Sequence, residues 1–435
     1  MPHQIRGAKY LQDRRSGFLF FKQRLGKCFT CIIAIKKLKE YPILIICPKI
    51  VIPTWVTEFT DEKCKPNSIQ IVNYATREKN LLALKTKRPI VIANYEKVKN
   101  YDILKVRKWK IIIIDELHRL ANTIAFVTRY FLRNRQPPYQ RRWALTGTPN
   151  PETRINLIAE YLIIQGNFMG YKSYNKYLLE HWEANSYTGR WELLNKKHAD
   201  KIDAYIKRTA CLATMESIGK GAIFRFTRRM VPINNTQKKL IKEIRSIRDA
   251  TRGQRFSDSG MDTAILVARA REREVATGID YRTKEIISEN KIKDVVEYWE
   301  WYREPMLVVS GARPIMEPCV ELFKKAGARV AIIHGKVPFK KREQIRLDFM
   351  EGKLDAVVAQ TKSIYLGLDF SKADTIMVIN NLDSGGAREQ IVDRIQHLNA
   401  IGIKEIIDIQ SEGTNDMKIL KDLGVKEQQS KATFK

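Results

Sequence analysis

The sequence predicts an α/β protein built from two parallel-sheet domains with a mostly helical insertion between them. Short apolar runs rich in β-branched residues alternate with helical or polar segments, which is typical of doubly wound parallel sheets. The length of 435 residues suits about two or three domains of ordinary size. The runs predicted as strands are residues 18–21, 43–46, 69–72, 90–93, 111–114 and 143–145 in the first half, and 306–309, 330–333, 356–359, 376–379 and 406–409 in the second.

Composition divides the chain into four predicted segments. Residues 1–165 form the first sheet domain, and residues 291–411 form the second. Residues 166–290 have few strand-like runs and many aromatic and basic side chains, so we predict a helical, basic insertion and linker. Residues 412–435 are polar and are predicted to be a fraying tail.

An excess of basic residues is the strongest compositional signal. Lys and Arg number 78 against 48 Asp and Glu, which gives a formal net charge of +30. Each basic side chain set against a phosphate releases counterions, so the predicted partner is a polyanion, above all nucleic acid. Solubility is the alternative reason for the charge, although far smaller net charges suffice for it.

The insertion carries much of this charge, and its basic residues meet few acids along the chain. That density predicts a phosphate-tracking surface, while a solvated helix face is the alternative for any single residue. Trp182 and Trp191 are more typical of packing than of a base-stacking platform. The basic residues are Arg225, Arg228, Arg229, Lys238, Lys239, Lys242, Arg245, Arg248, Arg252 and Arg255.

The sequence gives no sign of a membrane or secreted protein. It has no run of about 18 apolar residues, as a membrane helix requires. The first residues lack the apolar core of a signal peptide, so an intracellular location is expected. The six cysteines are scattered apart from the Cys28-x-x-Cys31 pair, and a second pair is missing. We therefore expect reduced thiols rather than zinc ligands.

A buried strand followed at once by Asp115, Glu116 and His118 is the centre of the first domain. Four β-branched apolar residues, 111–114, predict a strand buried on both faces of a parallel sheet. Ligands of such sheets bind at the carboxyl ends of the strands. Adjacent carboxylates there suit a metal–phosphate site, in which one holds Mg²⁺ through water and the other activates the attacking water. An ordinary strand ending in a polar turn is the alternative.

Residues 22–28 predict a phosphate-binding loop. A strand at 18–21 leads into a short loop ending in Gly26 and Lys27, and helical spacing follows from Phe29. In that layout backbone N–H groups and the helix N-terminus face the anion, and the lysine reaches the outer phosphates. The match is imperfect, because Arg24 stands at the usual earlier glycine and Cys28 at the usual Ser or Thr.

These features together resemble the superfamily-two helicases of DEAD/DEAH type, specifically the Swi/Snf-like double-stranded DNA translocases. In the first half, Gln4 with Gly7 resembles the adenine-reading glutamine motif. The other resembling stretches are Leu25-Gly26-Lys27 (motif I), Ile45-Ile46-Cys47-Pro48 with Trp55 and Phe59 (motif Ia), Ala93-Asn94-Tyr95-Glu96, Asp115 to Asn122 (motif II) and Leu145-Thr146-Gly147-Thr148-Pro149 (motif III).

The second half continues the same order of motifs. Lys291 resembles the lysine that precedes the second core domain, with an exposed helix lysine as the alternative. The remaining stretches are His334-Gly335 with Arg342, Gln360 through Gly367-Leu368-Asp369-Phe370 (motif V) and Gln390-Ile391-Val392-Asp393-Arg394 (motif VI).

The resemblance implies two tandem RecA-like domains of the P-loop NTPase type, with ATP and Mg²⁺ as cofactors and duplex DNA as the partner. It assigns Lys27, Asp115, Glu116, His118 and Arg394 to catalysis. Asp115 holds Mg²⁺ through water, and Arg394 acts across a cleft between the domains. Thr146, Thr148 and Gln390 couple the site to nucleic acid. The ATP-binding set is Gln4, Arg24, Leu25, Gly26, Lys27, Cys28, Gly367 and Asp369.

Three departures from the family pattern fall on the chemistry. Arg24 occupies a position of close backbone approach. The Cys28 thiol is a poor ligand for Mg²⁺, which prefers hard oxygen. His397 stands where a second motif VI arginine is expected. Two alternatives therefore stay open: a helicase-fold DNA-binding protein with weak or absent turnover, and an RNA helicase. The compact sequence suggests a phage or viral replication protein.

Overall fold

The structure is a computed structural model that divides the chain into two compact units, Met1–Lys220 and Gly221–Glu427. Each unit contains one large parallel sheet. The predicted α/β class with two parallel-sheet domains is confirmed. The structure describes residues 1–63, 65–134, 141–149, 153–184, 191–195, 197–252, 258–364, 368–380, 385–396, 402–421 and 423–424.

Every apolar run predicted as a strand lies in a strand or overlaps one. The strands are β1 (Ser16–Phe21), β2 (Ile43–Ile46), β3 (Ile69–Val72), β4 (Ile90–Ala93), β5 (Ile111–Asp115), β6 (Arg141–Leu145), β7 (Trp182–Ala184), β8 (Trp191–Leu193), β9 (Cys211–Ala213), β10 (Ile223–Val231), β11 (Met306–Ser310), β12 (Val330–Ile333), β13 (Ala356–Gln360), β14 (Thr375–Val378) and β15 (Ile403–Ser411).

Helices connect these strands. They are α1 (Pro2–Gln12), α2 (Lys27–Leu38), α3 (Ile52–Asp61), α4 (Arg77–Lys85), α5 (Tyr95–Asn100), α6 (Ile103–Val106), α7 (Phe126–Arg133), α8 (Asn156–Gln165), α9 (Tyr174–His181), α10 (Lys197–Thr209), α11 (Asn235–Arg252), α12 (Asp258–Thr277), α13 (Asn290–Tyr302), α14 (Met316–Lys325), α15 (Phe339–Met350), α16 (Thr361–Ile364) and α17 (Gly385–Val392). Within the described residues, no helix is both long and apolar enough to cross a membrane.

The first unit is organised around a seven-stranded parallel sheet with the order β3-β4-β2-β5-β6-β1-β9. The isoleucine-rich β5 is the central strand, and all its residues are buried. A parallel strand in this position has helices over both faces, which is why its sequence is continuously apolar instead of alternating. In the core, Phe18 stacks on Tyr161 with ring centroids 4.1 Å apart.

The second unit has a six-stranded parallel sheet with the order β10-β15-β14-β11-β13-β12. Alternate residues of a strand point to opposite faces, and β11 shows this directly. Met306 and Val308 belong to one hydrophobic cluster, while Leu307 and Val309 belong to another. The sheet is therefore buried between two apolar layers.

The sequence pattern missed strands in residues 166–290. Two of them extend the large sheets: β9 pairs with β1 in the first unit, and β10 pairs with β15 in the second. Both lie at sheet edges, where a strand needs no continuous apolar run because one side is exposed. Residues 166–220 belong to the first unit and residues 221–290 to the second. The sequence-based boundaries at 165, 290 and 411 stay predictions.

The expectation that the basic residues of the insertion meet few acids is wrong for several arginines. Folding brings acids distant in sequence to three of these arginines, while Arg248 pairs with its sequence neighbour Asp249. Arg229 makes two hydrogen bonds to Asp294, at 2.8 and 2.7 Å. The further ion pairs are Arg225–Glu405, Arg245–Glu272 and Arg248–Asp249. Trp182 is buried in the first core, as packing predicts, whereas Trp191 is exposed.

Lys291 is a structural lysine, so the alternative of an exposed helix residue is wrong. The residue is 3% exposed, and its ammonium donates to the carbonyl oxygens of Ile379 and Ile409, both at 3.0 Å. It also donates to the Asp416 carboxylate at 2.6 Å. Asp416, Ile419 and Leu423 are buried, so this part of the predicted polar tail is packed against the second unit.

Glu160 is expected to make the stability of the protein fall as pH rises. Its carboxyl group on α8 is fully buried without a described hydrogen-bond partner, and burial raises its pKa well above the ordinary value. The unfolded chain releases this proton above the ordinary pKa, while the folded chain retains it until the raised pKa is reached. The contribution of Glu160 to stability is therefore fully present below the ordinary pKa of a glutamate. It is lost as pH rises toward the raised pKa of the folded chain.

Urea unfolding at several pH values tests this expectation with two variants. Glu160→Gln keeps the shape but cannot ionise, so it should match the wild type near pH 4 and exceed it at neutral pH. Glu160→Leu also removes the unpaired polar group and should raise the free energy of unfolding by about 1–3 kcal/mol. A wild-type pH dependence identical to that of Glu160→Gln would contradict the expectation.

Candidate active site

The carboxyl edge of the first sheet gathers most residues singled out from the sequence. In the register of neighbouring strands, Asp115 at the end of β5 lies opposite Leu145 at the end of β6. Leu145 lies opposite Leu19 of β1. The loop after β1, the acids after β5 and the threonines after β6 therefore share one edge, as expected for parallel strands.

The loop between β1 and α2 has the backbone shape of an anion cradle. Arg24 and Gly26 both have positive φ, at 66° and 72°. The positive φ of Gly26 favours glycine, and a Cβ atom there would lie 2.1 Å from Nε2 of Gln4, whose side chain would have to move. Lys27 begins α2, and its ammonium donates to the Phe21 carbonyl oxygen at 3.1 Å. The loop thus places a lysine and a helix N-terminus together.

Helix α1 lies against this loop and carries Gln4. Nε2 of Gln4 donates to the Leu25 carbonyl oxygen at 3.4 Å, and the His3 ring nitrogen Nε2 lies 3.0 Å from the same oxygen. A Cβ atom on Gly7 would lie 2.8 Å from the Phe21 ring. The small residue at position 7 therefore lets α1 approach the strand closely.

Asp115 is held by two donors. Its Oδ1 accepts from the Glu116 backbone N–H, and its Oδ2 accepts from the Trp55 indole N–H, both at 2.9 Å. Burial, followed by the neighbouring Glu116 charge, raises the pKa of Asp115 to about 7, while Lys27 and the Trp55 hydrogen bond lower it. A cation bound here would favour the ionised form. The sequence identified Trp55 but not this contact.

Glu116, His118 and the two threonines form one cluster. Glu116 has a φ of 55°, in the left-handed region. Nδ1 of His118 lies 2.9 Å from Oγ1 of Thr146, 3.2 Å from Oγ1 of Thr148 and 3.4 Å from Oε2 of Glu116. The imidazole therefore connects the acids after β5 to the loop after β6.

Gln23 was missed as a site residue. Its Nε2 donates to Oε1 of Glu116 at 3.4 Å, so the phosphate loop contacts the acid directly. The signal was its place within residues 22–28. Tyr95 was also missed as a contact, although it was in a quoted stretch. Its hydroxyl donates to the Asp115 carbonyl oxygen and to the Glu116 carbonyl oxygen, the second at 3.3 Å.

Cys28 occupies the position at which the family pattern has a Ser or Thr hydroxyl. Burial, and then the Asp115 charge, raises the pKa of Cys28 well above its ordinary value. A metal ligand must be a thiolate, and Mg²⁺ prefers oxygen in any case. Thr30 does not replace it, because its hydroxyl donates to the Gly26 carbonyl oxygen at 2.8 Å.

The side chains present still fit Mg²⁺ in the way nucleotide enzymes bind it. Mg²⁺ retains several waters and is held by one or two carboxylates together with substrate phosphates. Asp115 supplies one hard carboxylate, and a bound cation would stabilise its ionised form, which burial disfavours. Within the described residues, no group of three or more His, Cys, Asp and Glu forms a protein-only metal cage.

Asp369, Gln390 and Arg394 lie in the second unit. The Arg394 side chain is 7% exposed, and its carbonyl oxygen accepts from the Phe370 N–H at 3.0 Å. Asp369 accepts from the Ser371 N–H at 2.8 Å, which shapes the local turn. Gln390 is half-buried on α17. Gly367 and His397 lie outside the described residues.

A buried ion pair in the second unit was also missed. The Arg388 guanidinium donates to both carboxylate oxygens of Asp408, each at 2.6 Å. Both side chains are buried, and the pair joins α17 to β15. No sequence signal pointed to it, because the partners are separated along the chain and meet only through the fold.

Comparison with known proteins assigns the family. The SNF2-related domain matches residues 3–250, more than half of the chain, and the helicase conserved C-terminal domain matches residues 290–399. The chain is 21% identical over 428 residues to the SWI/SNF-related matrix-associated actin-dependent regulator of chromatin subfamily A-like protein 1 of Xenopus tropicalis. That alignment covers 96% of this chain and 43% of the frog protein.

Two further similarities are local or structural. A stretch of 162 residues is 32% identical to the ATP-dependent helicase brm of Drosophila melanogaster, covering 34% of this chain and 10% of that protein. The chain thus spans less than half the length of these curated relatives. The helicase domain of Hef from Pyrococcus furiosus shares the fold, with a TM-score of 0.55, 12% identity and coverage of 96% and 97%.

The SNF2-related match covers the first sheet unit and extends to residue 250 of the second unit, and the helicase C-terminal match lies within the second unit. The chain belongs to the SNF2-related family, and it joins the SNF2-related domain to a helicase conserved C-terminal domain.

Proposed function

We propose that the chain hydrolyses ATP and uses the cycle to move along duplex DNA. The observation that carries the proposal is the assembly of Lys27, Asp115, Glu116 and Thr146 at one sheet edge, built on three neighbouring strands. Phosphoryl transfer needs side chains that position the reacting groups and side chains that neutralise the developing negative charge. This sheet edge supplies both kinds of side chain.

In this proposal Lys27 holds the outer phosphates, and Gln4 recognises adenine beside the loop. Asp115 would hold Mg²⁺, which neutralises charge on the β and γ phosphates when bound. Glu116 orients the attacking water and accepts its proton. His118 transmits the state of Glu116 to Thr146 and Thr148, because it contacts all three. The remaining proposed site residues belong to the second unit and are Arg394, Asp369, Gly367 and Gln390.

The net charge of +30 supports nucleic acid as the partner. Duplex DNA is favoured by the Swi/Snf-type stretch around Trp55 and by the motif II stretch that begins at Asp115. A nucleic-acid-associated place in the cell follows from this partner. The suggested phage or viral origin rests on the compactness of the sequence alone.

A binding protein with weak turnover is the second candidate function. The specific observation in its favour is the Cys28 thiol, whose pKa burial raises well above the ordinary value, at a position where a hydroxyl would ligate Mg²⁺. Steady-state phosphate release separates the candidates when measured without nucleic acid and with single-stranded DNA, duplex DNA or RNA. The proposal expects the greatest stimulation by duplex DNA. Salt-sensitive DNA binding without phosphate release above background would contradict it.

Cys28→Thr is expected to raise the rate of ATP hydrolysis and lower the Mg²⁺ concentration needed for half-maximal rate. The threonine hydroxyl restores a hard oxygen ligand at the start of α2. Mg²⁺ titrations of the wild type and the variant measure the effect. Cys31→Thr is the matched control, because it makes the same change one helical turn away. An equal response of both variants would show that the ligand position is not the cause.

A further inference from the structure

The loop between β1 and α2 contacts Glu116 through the side chain of Gln23. The amide Nε2 of Gln23 donates to Oε1 of Glu116 at 3.4 Å. The other carboxylate oxygen, Oε2, lies 3.4 Å from Nδ1 of His118. Each oxygen of this carboxylate therefore faces a polar group from a different loop, one before α2 and one after β5. Two such contacts restrict the rotation of the carboxylate about its last side-chain bond.

The position of the Gln23 amide is determined by more than this one contact. A Cβ atom on Gly147 would lie 3.3 Å from Nε2 of Gln23 and 3.4 Å from its backbone nitrogen, so a larger residue at position 147 would press on the amide. Gly147 lies between Thr146 and Thr148, whose hydroxyl oxygens contact His118. The amide is therefore packed against the loop after β6 while it donates to the acid after β5.

The backbone on both sides of Gln23 is anchored. The Lys22 N–H donates to the Ala213 carbonyl oxygen at 2.9 Å, and the Leu25 N–H donates to the Lys22 carbonyl oxygen at 3.4 Å. Leu25 is buried, and Arg24 lies in the left-handed region with a φ of 66°. A residue other than glycine is held in this region only where its surroundings fix it, and such residues concentrate at functional sites. The turn therefore fixes the point from which the Gln23 side chain extends.

An amide donor suits a carboxylate that accepts a proton from water. The amide N–H stabilises the ionised carboxylate, which is the form that can act as a base. It occupies one lone pair of Oε1, and the second lone pair of that oxygen remains for the water. Contacts of catalytic groups commonly shorten in the complex with substrate, so the distance of 3.4 Å between Gln23 and Glu116 is compatible with this role.

We propose that Gln23 is a positioning residue that directs the Glu116 carboxylate toward the attacking water. The inference rests on the proposed function, because it takes Glu116 as the base. It adds that the loop expected to bind the phosphates also orients this base directly. Phosphate binding and activation of water are then linked through one amide within the first unit, separately from the contact between Glu116 and His118.

Steady-state ATP hydrolysis by the full chain with duplex DNA tests the proposal with two replacements of similar length. Gln23→Met removes the amide donor, and Gln23→Glu replaces it with an acceptor that repels Glu116. Both should lower kcat by about tenfold to hundredfold and change KM for ATP by less than about twofold, because the lost contact acts in the transition state. Gln12→Met is the matched control and should change neither constant. Gln12 is half-buried, and its carbonyl oxygen accepts from Arg141 at the start of β6, away from the carboxyl edge.

A double-mutant cycle separates positioning of the base from a merely structural role. If Gln23 acts through Glu116, adding Gln23→Met to Glu116→Gln should lower the remaining rate by less than about twofold. A structural role would make the two losses multiply, and it would also raise KM for ATP and lower the thermal midpoint of Gln23→Met. Losses that multiply overturn the inference, as does a raised KM together with a lowered midpoint, or a kcat in both Gln23 variants equal to that of Gln12→Met.

The same measurements distinguish failure of this inference from failure of the proposed function. If the wild type hydrolyses no ATP, or if Glu116→Gln keeps the wild-type rate, the proposed function fails and the inference fails with it. If Glu116→Gln loses activity while both Gln23 variants keep it, the inference alone fails. Thermal unfolding of the Gln23 variants without nucleotide should give the wild-type midpoint, because Gln23 is half-buried and backbone contacts hold its turn.

Discussion

Glu116→Gln is expected to reduce ATP hydrolysis by about 10²–10⁴-fold while leaving ATP binding intact, because it removes the base but preserves side-chain shape. The glutamine can still face Gln23 and His118, whose polar atoms lie 3.4 Å from the two carboxylate oxygens in the wild type. Phosphate release under saturating ATP measures the loss, and binding of a fluorescent ATP analogue measures the retained affinity.

Lys27→Ala is expected to affect both ATP binding and ATP hydrolysis, whereas Glu116→Gln is expected to affect hydrolysis alone. Lys27→Ala removes the ammonium at the start of α2, so we expect loss of nucleotide affinity together with loss of turnover. Glu96→Gln is the control, since it neutralises an exposed acid on α5 of the same unit. The assignment of Glu116 as base fails if its glutamine variant turns over at the rate of the Glu96 control.

The edge of the first sheet could be predicted because it follows from the direction of the strands. Parallel strands end on the same side of their sheet, so the loop at 22–26, Asp115 and Thr146 lie at one edge, and the strand order of the structure makes them neighbours. Gly26 and Lys27 could be recognised in the sequence because a phosphate-binding loop favours glycine where the backbone has a positive φ. Gly26 has such a φ.

Contacts that depend on side-chain packing between distant elements could not be predicted in the same way. The Trp55 indole reaches Asp115 from α3, and Lys291 reaches Asp416 across two strand ends. Periodicity reports which face of an element is buried, but not which side chain it will meet. Edge strands were missed for a related reason. The exposed β10 contains Arg225, Arg228 and Arg229, so its apolar pattern is weak.

Asp115→Asn is the most informative change for stability. Removing the carboxylate charge has a larger effect on the free energy of unfolding than changing the two hydrogen bonds of this side chain. The buried carboxyl has a pKa of about 7, raised first by burial and then by Glu116. From an ordinary value near 4, the unfolded chain releases the proton while the folded chain keeps it. The free energy of unfolding of the wild type therefore falls as pH rises through this window and is flat above it.

Asp115→Asn removes that slope, so its advantage over the wild type should grow by on the order of 3–4 kcal/mol between pH 4 and pH 7. The same variant should lose ATP hydrolysis by at least about 10²-fold, because an amide does not neutralise or hold Mg²⁺ as a carboxylate does. Urea unfolding without nucleotide measures the first effect, and phosphate release measures the second.

Asp200→Asn is the control, because Asp200 is an exposed acid on α10 and its loss should change neither quantity. Adding Mg²⁺ with ADP should raise the thermal midpoint of the wild type at pH 8 more than that of Asp115→Asn. The reason is that only the ionised carboxylate gains from the cation. If Asp115→Asn is inactive but its free energy of unfolding depends on pH as that of the wild type does, the inference is contradicted. The buried carboxyl group of Asp115 would then not be the cause of the pH-dependent loss of stability.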